Sequence, residues 1–107
     1  MATVLQLHQQ HTHVSGYVDG LYDELSKLSI KRPRDDVSQL TVNQVNRAIR
    51  DTKSLMAGED DPYIGDILEF ESAGDEPENR DVVLVLRQLK GALDRMHVRH
   101  RRSWLGY

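Results

Sequence analysis

A stripe of mostly apolar residues with alternating spacings of three and four runs through the first quarter of the chain. Its members, which we call the seam, are Val4, Leu7, His11, Val14, Val18, Leu21, Leu25 and Leu28. This spacing is the a/d pattern of a helix that packs lengthwise along another helix. The seam therefore predicts one long helix over residues 3–29. Its partner is either another helix of this chain or the same helix of a second copy.

Two glycines lie inside the predicted first helix but outside the seam. Gly16 and Gly20 each cost roughly 1 kcal/mol relative to alanine in a helix interior. They indicate a kink, a shorter helix that begins at Gly16 behind a Ser15 cap, or a pair of small residues at which another helix can approach closely. The sequence leaves these alternatives open.

Capping and helix-breaking residues divide the middle of the chain. Pro33 and the turn-forming residues that follow it make residues 30–40 a linker. A capping-box spacing predicts that the second helix begins at Thr41, and a C-terminal glycine predicts that it ends at Gly58. An Asp-Pro pair at residues 61–62 predicts a short third helix that ends by residue 71.

A second stripe of the same spacing predicts the last helix, which begins near Arg80 after an acidic loop over residues 72–79. The stripe consists of Val82, Leu86, Leu89, Leu93 and Met96. Val83, Leu84 and Val85 make the first turns apolar nearly all round, so we expect this end to be the most deeply buried. The predicted fold is all-α: a small three- to four-helix bundle whose long first helix is antiparallel to the last. We expect residues 1–98 to form one domain and residues 99–107 a basic, aromatic tail.

Composition excludes several classes of protein. The 107 residues are 38% hydrophobic and 29% charged, as in a soluble globular domain. No apolar run approaches the roughly 20 residues of a membrane span, and no secretory signal pattern is present. Cysteine is absent, which excludes disulfides and thiolate metal sites. Phosphate-binding glycine loops and zinc-protease motifs are also missing. We expect a cytoplasmic protein without a cofactor.

The charges are distributed unevenly along the chain. Residues 57–81 contain ten acids and one arginine, whereas residues 95–107 contain four arginines and no acid. Such polarity favours pairing between the two segments, within or between chains, and argues against a broadly basic nucleic-acid surface.

All five histidines fall near the two ends of the chain. His8, His11 and His13 lie near the start, and His97 and His100 near the end. In an antiparallel bundle these two groups converge. Imidazoles with one carboxylate are a zinc- or nickel-type ligand set, so an alternative metal site would use His8, His11, Asp94, His97 and His100. The other interpretation is that His11 is a polar core residue and the remaining histidines are solvated.

The same region suggests an alternative enzymatic activity. Arg95 and His100 match the Arg-x4-His pattern of helical ribonucleases of the HEPN class, and the segment between them resembles that motif. The resemblance implies an arginine that stabilises charge on the scissile phosphate and an imidazole that moves a proton, without metal. The residue after the arginine, commonly polar in that class, is Met96 here. The rest of the chain carries no further feature of the class.

The favoured function is a non-enzymatic protein–protein interaction module, such as a small adaptor, regulator or assembly subunit. We expect it to form a homodimer through the first helix, because the seam is longer than two short helices can cover. The basic, aromatic tail is the second candidate contact; arginines with aromatic residues are typical of protein hot spots and also of nucleic-acid binding, which is a further alternative. The predicted partner-binding residues are Leu7, His11, Val14, Val18, Leu21, Leu25, Arg99, Arg101, Arg102, Trp104 and Tyr107.

Overall fold

Three α-helices pack against one another in the computed structural model of the protein, which describes residues 3–71 and 76–104. They are α1 (Val4–Lys31), α2 (Gln39–Leu55) and α3 (Asn79–Trp104). The two long helices are antiparallel, since His11 near the start of α1 contacts Leu93 in α3 and Arg32 after α1 contacts Asn79. The bundle is elongated, with extents of 47 × 25 × 22 Å. The predicted all-α bundle is therefore confirmed.

Helix α1 is continuous and is defined by its caps. The Thr3 hydroxyl accepts a hydrogen bond from the Gln6 N–H (3.1 Å), and the Thr3 N–H donates to the Gln6 side chain (2.9 Å). This capping box satisfies backbone groups that have no partner inside the helix. The helix passes through both glycines and ends at Lys31, before Pro33, which cannot continue it.

The seam packs against α3 of the same chain. Its central residues His11, Val14, Val18, Leu21 and Leu25 are buried. The ends of the seam are less covered, with Val4 55% and Leu28 43% exposed and Leu7 half-buried. The five central residues predicted to bind a partner therefore lie inside the bundle rather than on its surface. Two antiparallel long helices bury the seam without a second copy.

Helix α2 begins earlier than predicted. The cap is Ser38, whose hydroxyl accepts from the Thr41 N–H (3.2 Å), so the helix starts at Gln39. Thr41, predicted as the cap, lies in the first turn; Ser38 precedes it by the three residues that a capping side chain spans. The helix ends at Leu55, and residues 56–58 form a turn that includes Gly58.

The predicted third helix is only one turn of 3-10 helix, Ile64–Asp66. The chain beyond it is held by a side chain of α2 instead of by helical hydrogen bonds. Asn46 donates to the Phe70 carbonyl and accepts from the Phe70 N–H, both at 2.8 Å. This pair of hydrogen bonds ties Phe70 to α2, and residues 67–70 have no regular secondary structure. The remaining acidic loop lies partly in residues 72–75, outside the described residues.

Helix α3 differs from prediction at both ends. At its start Val82 and Val83 are buried, but Leu84 is 53% exposed, because it lies on the side of the helix away from α1 and α2. At its end the helix continues through Trp104, so residues 99–104 extend the bundle instead of forming a separate tail. Tyr107, the last predicted partner-binding residue, lies outside the described residues.

The buried apolar residues form two clusters. The main core lies between the three helices and includes Val18, Val45, Ile49, Leu86 and Leu89. The minor core contains Met56, Ala92, Met96 and Trp104, and Leu7 packs against it. It lies at the end of the bundle where α1 begins and α3 ends. Within the described ranges, no helix combines the length and hydropathy that a bilayer span needs.

Candidate functional site

Four imidazoles surround one indole at the end of the bundle that holds the minor core. His8 and His100 stack nearly parallel to Trp104, with ring centroids 5.0 Å from it in each case. His11 and His97 are tilted against the same indole at 4.7 and 5.6 Å. We call these five residues the His–Trp cluster. The sequence prediction that the two histidine groups converge is confirmed by this geometry.

His11 is the buried member of the cluster. Its ring is 7% exposed, and its Nε2–H donates a 2.8 Å hydrogen bond to the Leu93 carbonyl. Burial lowers the pKa of His11, because a charged imidazole loses its hydration there; nearby His97 and His8 lower it further. The Leu93 carbonyl and the Asp94 carboxylate act in the opposite direction. Because the Nε2–H is bonded to Leu93, Nδ1 is the ring nitrogen at which a second proton would bind.

The cluster is not arranged as a metal site. Trp104 lies between the imidazoles, and across residues 3–71 and 76–104 no group of three or more histidines, aspartates or glutamates is placed to hold a metal ion. The alternative site proposed from His8, His11, Asp94, His97 and His100 thus receives no support from the geometry. The rings contact the indole rather than a shared central point.

A network of ion pairs lies beside the cluster and joins α3 to the chain between α2 and the 3-10 turn. Arg95 donates to both oxygens of Asp61, at 2.8 and 3.2 Å. Arg99 donates to Glu59 (3.2 Å), and the His100 Nε2–H donates to the same carboxylate (2.8 Å). The predicted pairing of the basic end of the chain with the acidic segment is therefore confirmed for these residues.

The Arg-x4-His residues are engaged by acids of the same chain. The Arg95 guanidinium is bound to a carboxylate whose side chain has no exposed surface, and His100 is bound to Glu59. Catalysis of this kind needs donors aimed at the position where charge develops, whereas the donors of both residues point at carboxylates of the same chain here. The geometry gives no support to the ribonuclease alternative.

The predicted tail residues separate into three kinds. Arg101 and Arg102 are exposed, Arg99 is paired with Glu59, and Trp104 is buried. The indole is therefore not on the surface for stacking on nucleic-acid bases. Nucleic-acid binding through this segment would depend on two exposed arginines.

The outer face of α1, opposite the seam, is a second surface that could contact a partner. A Cβ atom built on Gly16 or Gly20 meets nothing within 4 Å, so both glycines face open space. Leu5 and Ile30, at 64% and 83% exposure, lie near the two ends of the same helix. At about 100° per residue, these four residues fall within a sector of about 80° around the helix axis. We call them the glycine face.

Sequence reasoning missed two of these features. It assigned Trp104 to a basic, aromatic tail, although Trp104 follows His97 and His100 at helical spacings of seven and four and so belongs on their side of α3. It also noted Gly16 and Gly20 but not the apolar residues that flank them. Leu5 and Ile30 lie outside the seam, and their common direction appears only once α1 is known to be one unbroken helix.

The chain matches no protein-family model, no curated protein and no solved structure. Its fold and candidate site define it as an all-α three-helix bundle with a histidine–tryptophan cluster at one end.

Proposed function

We propose that this protein is a non-enzymatic interaction module that forms a homodimer through α1, using the glycine face and not the seam. The observation that carries the proposal is the pair of exposed glycines in the middle of a 28-residue helix, flanked by exposed apolar residues near both ends.

The fold itself gives no reason for the glycines. Neither has a neighbour within 4 Å that a methyl group would strike, and α1 is regular helix at both positions. Each glycine costs roughly 1 kcal/mol relative to alanine in such a helix. Small residues on a helix surface allow a second helix to approach closely. A contact with another molecule therefore gives a reason for the two glycines that the monomer does not.

The second helix that fits best is α1 of another copy, because the glycine face is symmetric about its own centre. The midpoint between Gly16 and Gly20 falls at Val18, and the midpoint between Leu5 and Ile30 falls between Tyr17 and Val18, half a residue away. A two-fold axis at this level of the helix therefore brings Leu5 of one copy opposite Ile30 of the other, and Gly16 to within one residue of Gly20. Such a self-complementary contact is the usual form of a protein dimer.

Charges on the glycine face agree with this antiparallel register. In the register that pairs Leu5 with Ile30, Asp23 comes opposite Thr12 of the second copy, and Lys27 comes opposite His8. No acid on this face comes opposite an acid and no lysine opposite a lysine, so repulsion between such pairs does not oppose the contact.

The test is the solution mass measured by sedimentation equilibrium over a wide concentration range. The wild-type protein is expected to approach twice its 12.3 kDa chain mass. Gly20→Leu, which fills the close approach, is expected to give monomer. Leu5→Lys and Ile30→Glu are each expected to weaken the dimer, and the two changes together to restore it, because opposite charges then meet in the two-fold register.

Val98→Glu is the matched control, since Val98 is 65% exposed on α3 and lies outside the glycine face. It is expected to leave the mass unchanged. A wild-type protein that stays monomeric at millimolar concentration would contradict the proposal. So would a double variant that is no more dimeric than either single variant.

A further inference from the structure

We propose that the His–Trp cluster is a proton-operated clamp: when its imidazoles become charged in mildly acidic solution, the start of α1 separates from the end of α3 while the main core stays folded. This inference does not rest on the proposed dimer, because the ring contacts that carry it lie within one chain.

The first support is that the contact between the two helix ends consists of titratable rings. From α1 come His8 and His11, and from α3 come His97 and His100, all in contact with Trp104. The centroids of His11 and His97 are only 5.7 Å apart. Imidazole gains its charge between pH 5 and 8, so a small drop in pH brings like charges together in this contact.

The second support is that the imidazoles of the cluster differ in whether a carboxylate lies close enough to pair with their positive charge. Glu59 already accepts hydrogen bonds from His100 and Arg99, so a charge on His100 has a partner. For His11, burial lowers the pKa more than the Leu93 carbonyl hydrogen bond raises it; the neighbours His97 and His8 lower it further, and Asp94 is the one carboxylate that acts against them. Protonation of His11 is therefore the step that the closed clamp opposes most strongly.

The direction of the pH effect follows from linkage. The pKa of His11 is lowered in the folded state, so below about pH 6.5 the released or unfolded chain binds a proton that the closed clamp does not. The free energy that favours the closed clamp is at its maximum above about pH 6.5 and decreases as the pH falls below that value.

The third support is that the packing allows the clamp to open by itself. Met56, Met96 and Trp104 form the minor core, which is a cluster distinct from the main core. In the described part of the chain, the buried Trp104 Nε1 has no hydrogen-bond partner, so opening breaks no hydrogen bond of the indole. Regions with few buried contacts open at lower free energy than the rest of a domain.

The chain contains a single tryptophan, and it lies at the centre of the clamp, so its emission reports directly on opening. The experiment is a titration from about pH 7.5 to about pH 5, followed by tryptophan emission, far-UV circular dichroism and hydrogen exchange. We expect the emission to shift to the red and amide exchange in residues 4–12 to rise about tenfold or more. Exchange in α2 and most of the helical signal should be retained.

His11→Gln isolates the proposed group, because the glutamine amide can still donate to the Leu93 carbonyl but does not titrate. It should move the transition down by about one pH unit or abolish it. His13→Gln is the matched control: His13 is exposed on the same helix and outside the cluster, and the wild-type transition should persist. If His11→Gln fails to fold at neutral pH, His97→Gln replaces it, since removing that neighbouring charge should also lower the midpoint.

Three results would overturn the clamp. One is an unchanged emission and an unchanged exchange in residues 4–12 down to about pH 5. Another is a midpoint in His11→Gln, or in its substitute His97→Gln, equal to that of the wild type. The third is simultaneous loss of protection in α1 and α2, which would mean global unfolding instead of release of one end.

Discussion

At Asp61, a carboxylate with no exposed side-chain surface meets two kinds of donor. Arg95 donates to both of its oxygens, and the Tyr63 N–H donates to one of them at 3.0 Å. The Arg95 hydrogen bonds are the main reason that the pKa of Asp61 lies below its usual value. This one residue therefore joins α3 to the chain that closes the minor core.

Asp61→Asn is expected to lower the free energy of unfolding at neutral pH by about 1–3 kcal/mol, because the Arg95 guanidinium, itself partly exposed, loses its charged acceptor. Because the pKa of Asp61 is lower in the folded state than in the unfolded state, its charge stabilises the protein fully at pH values above the unfolded pKa, near 3.9. This stabilisation disappears as the pH falls through the folded pKa. Urea unfolding should therefore show a difference between wild type and variant that shrinks below about pH 4.

Asp60→Asn provides the control for this prediction. Asp60 is the exposed neighbour of Asp61, and its substitution should change stability by no more than about 0.5 kcal/mol. Equal losses for the two substitutions would mean that general acidity of the segment, and not the Arg95 contact, stabilises the fold.

At the scale of the helices, the sequence predicted what depends on periodicity and missed what depends on distant contacts. The spacing of the seam and of the second stripe was enough to predict α1, α3 and their antiparallel contact. The start of α2 was wrong because Ser38 and Thr41 are both good caps, and the local pattern does not choose between them. The short third helix was wrong because Asn46, in another helix, takes both backbone hydrogen bonds of Phe70.

For the candidate site too, the sequence predicted the features that follow from helix direction and charge, and missed those that depend on the folded structure. The meeting of the two histidine groups follows from antiparallel helices, and the pairing of the basic and acidic segments follows from charge. The central position of Trp104 did not follow, because the arginine-rich composition after His97 suggested a tail, although the segment continues as helix. The exposure of Gly16 and Gly20 did not follow either, because it depends on the finding that no atom of the described residues fills the space beside them.

Glycine substitutions test that last point on α1 itself. At protein concentrations low enough to keep the chain monomeric, Gly16→Ala is expected to raise the free energy of unfolding by about 0.5–1 kcal/mol, because alanine is the better helix former and its methyl group meets no atom. Chemical unfolding followed by circular dichroism measures this change.

Gly91→Ala in α3 is the matched substitution. A Cβ at position 91 would lie 3.3 Å from an Nη atom of Arg95, which is held in place by Asp61. The gain in helix propensity should therefore be partly or fully offset at this position. A loss of stability in Gly16→Ala would show that the first helix needs its glycine for folding, and would remove the main reason for a contact outside the monomer.

At the scale of the whole molecule, the two ends of the bundle are closed by different chemistry. One end carries the His–Trp cluster, whose rings include four imidazoles, and the ion pairs beside it. At the other end, backbone hydrogen bonds join the linker after α1 to the start of α3: the Val37 N–H donates to the Pro77 carbonyl and the Asn79 N–H to the Asp35 carbonyl, both at 2.9 Å. The Asn79 side chain, which is buried, donates to the Arg32 carbonyl at 2.8 Å.

This difference between the ends leads to a prediction for Asn79→Ala. Removing the amide leaves the Arg32 carbonyl without its donor, which should lower the free energy of unfolding by about 1–2 kcal/mol. Neither the Asn79 amide nor the Arg32 carbonyl titrates near neutrality, so the loss measured by urea unfolding should be the same at about pH 7.5 and about pH 5.5. The effect of His11→Gln should instead change sign or size between these two pH values.

Asn43→Ala is the control, because Asn43 is exposed and its side chain bonds to the neighbouring Gln39 side chain. If the Asn79→Ala loss varied with pH as the His11→Gln effect does, the two ends would be coupled, and acidification would act on the bundle as a whole instead of on one end.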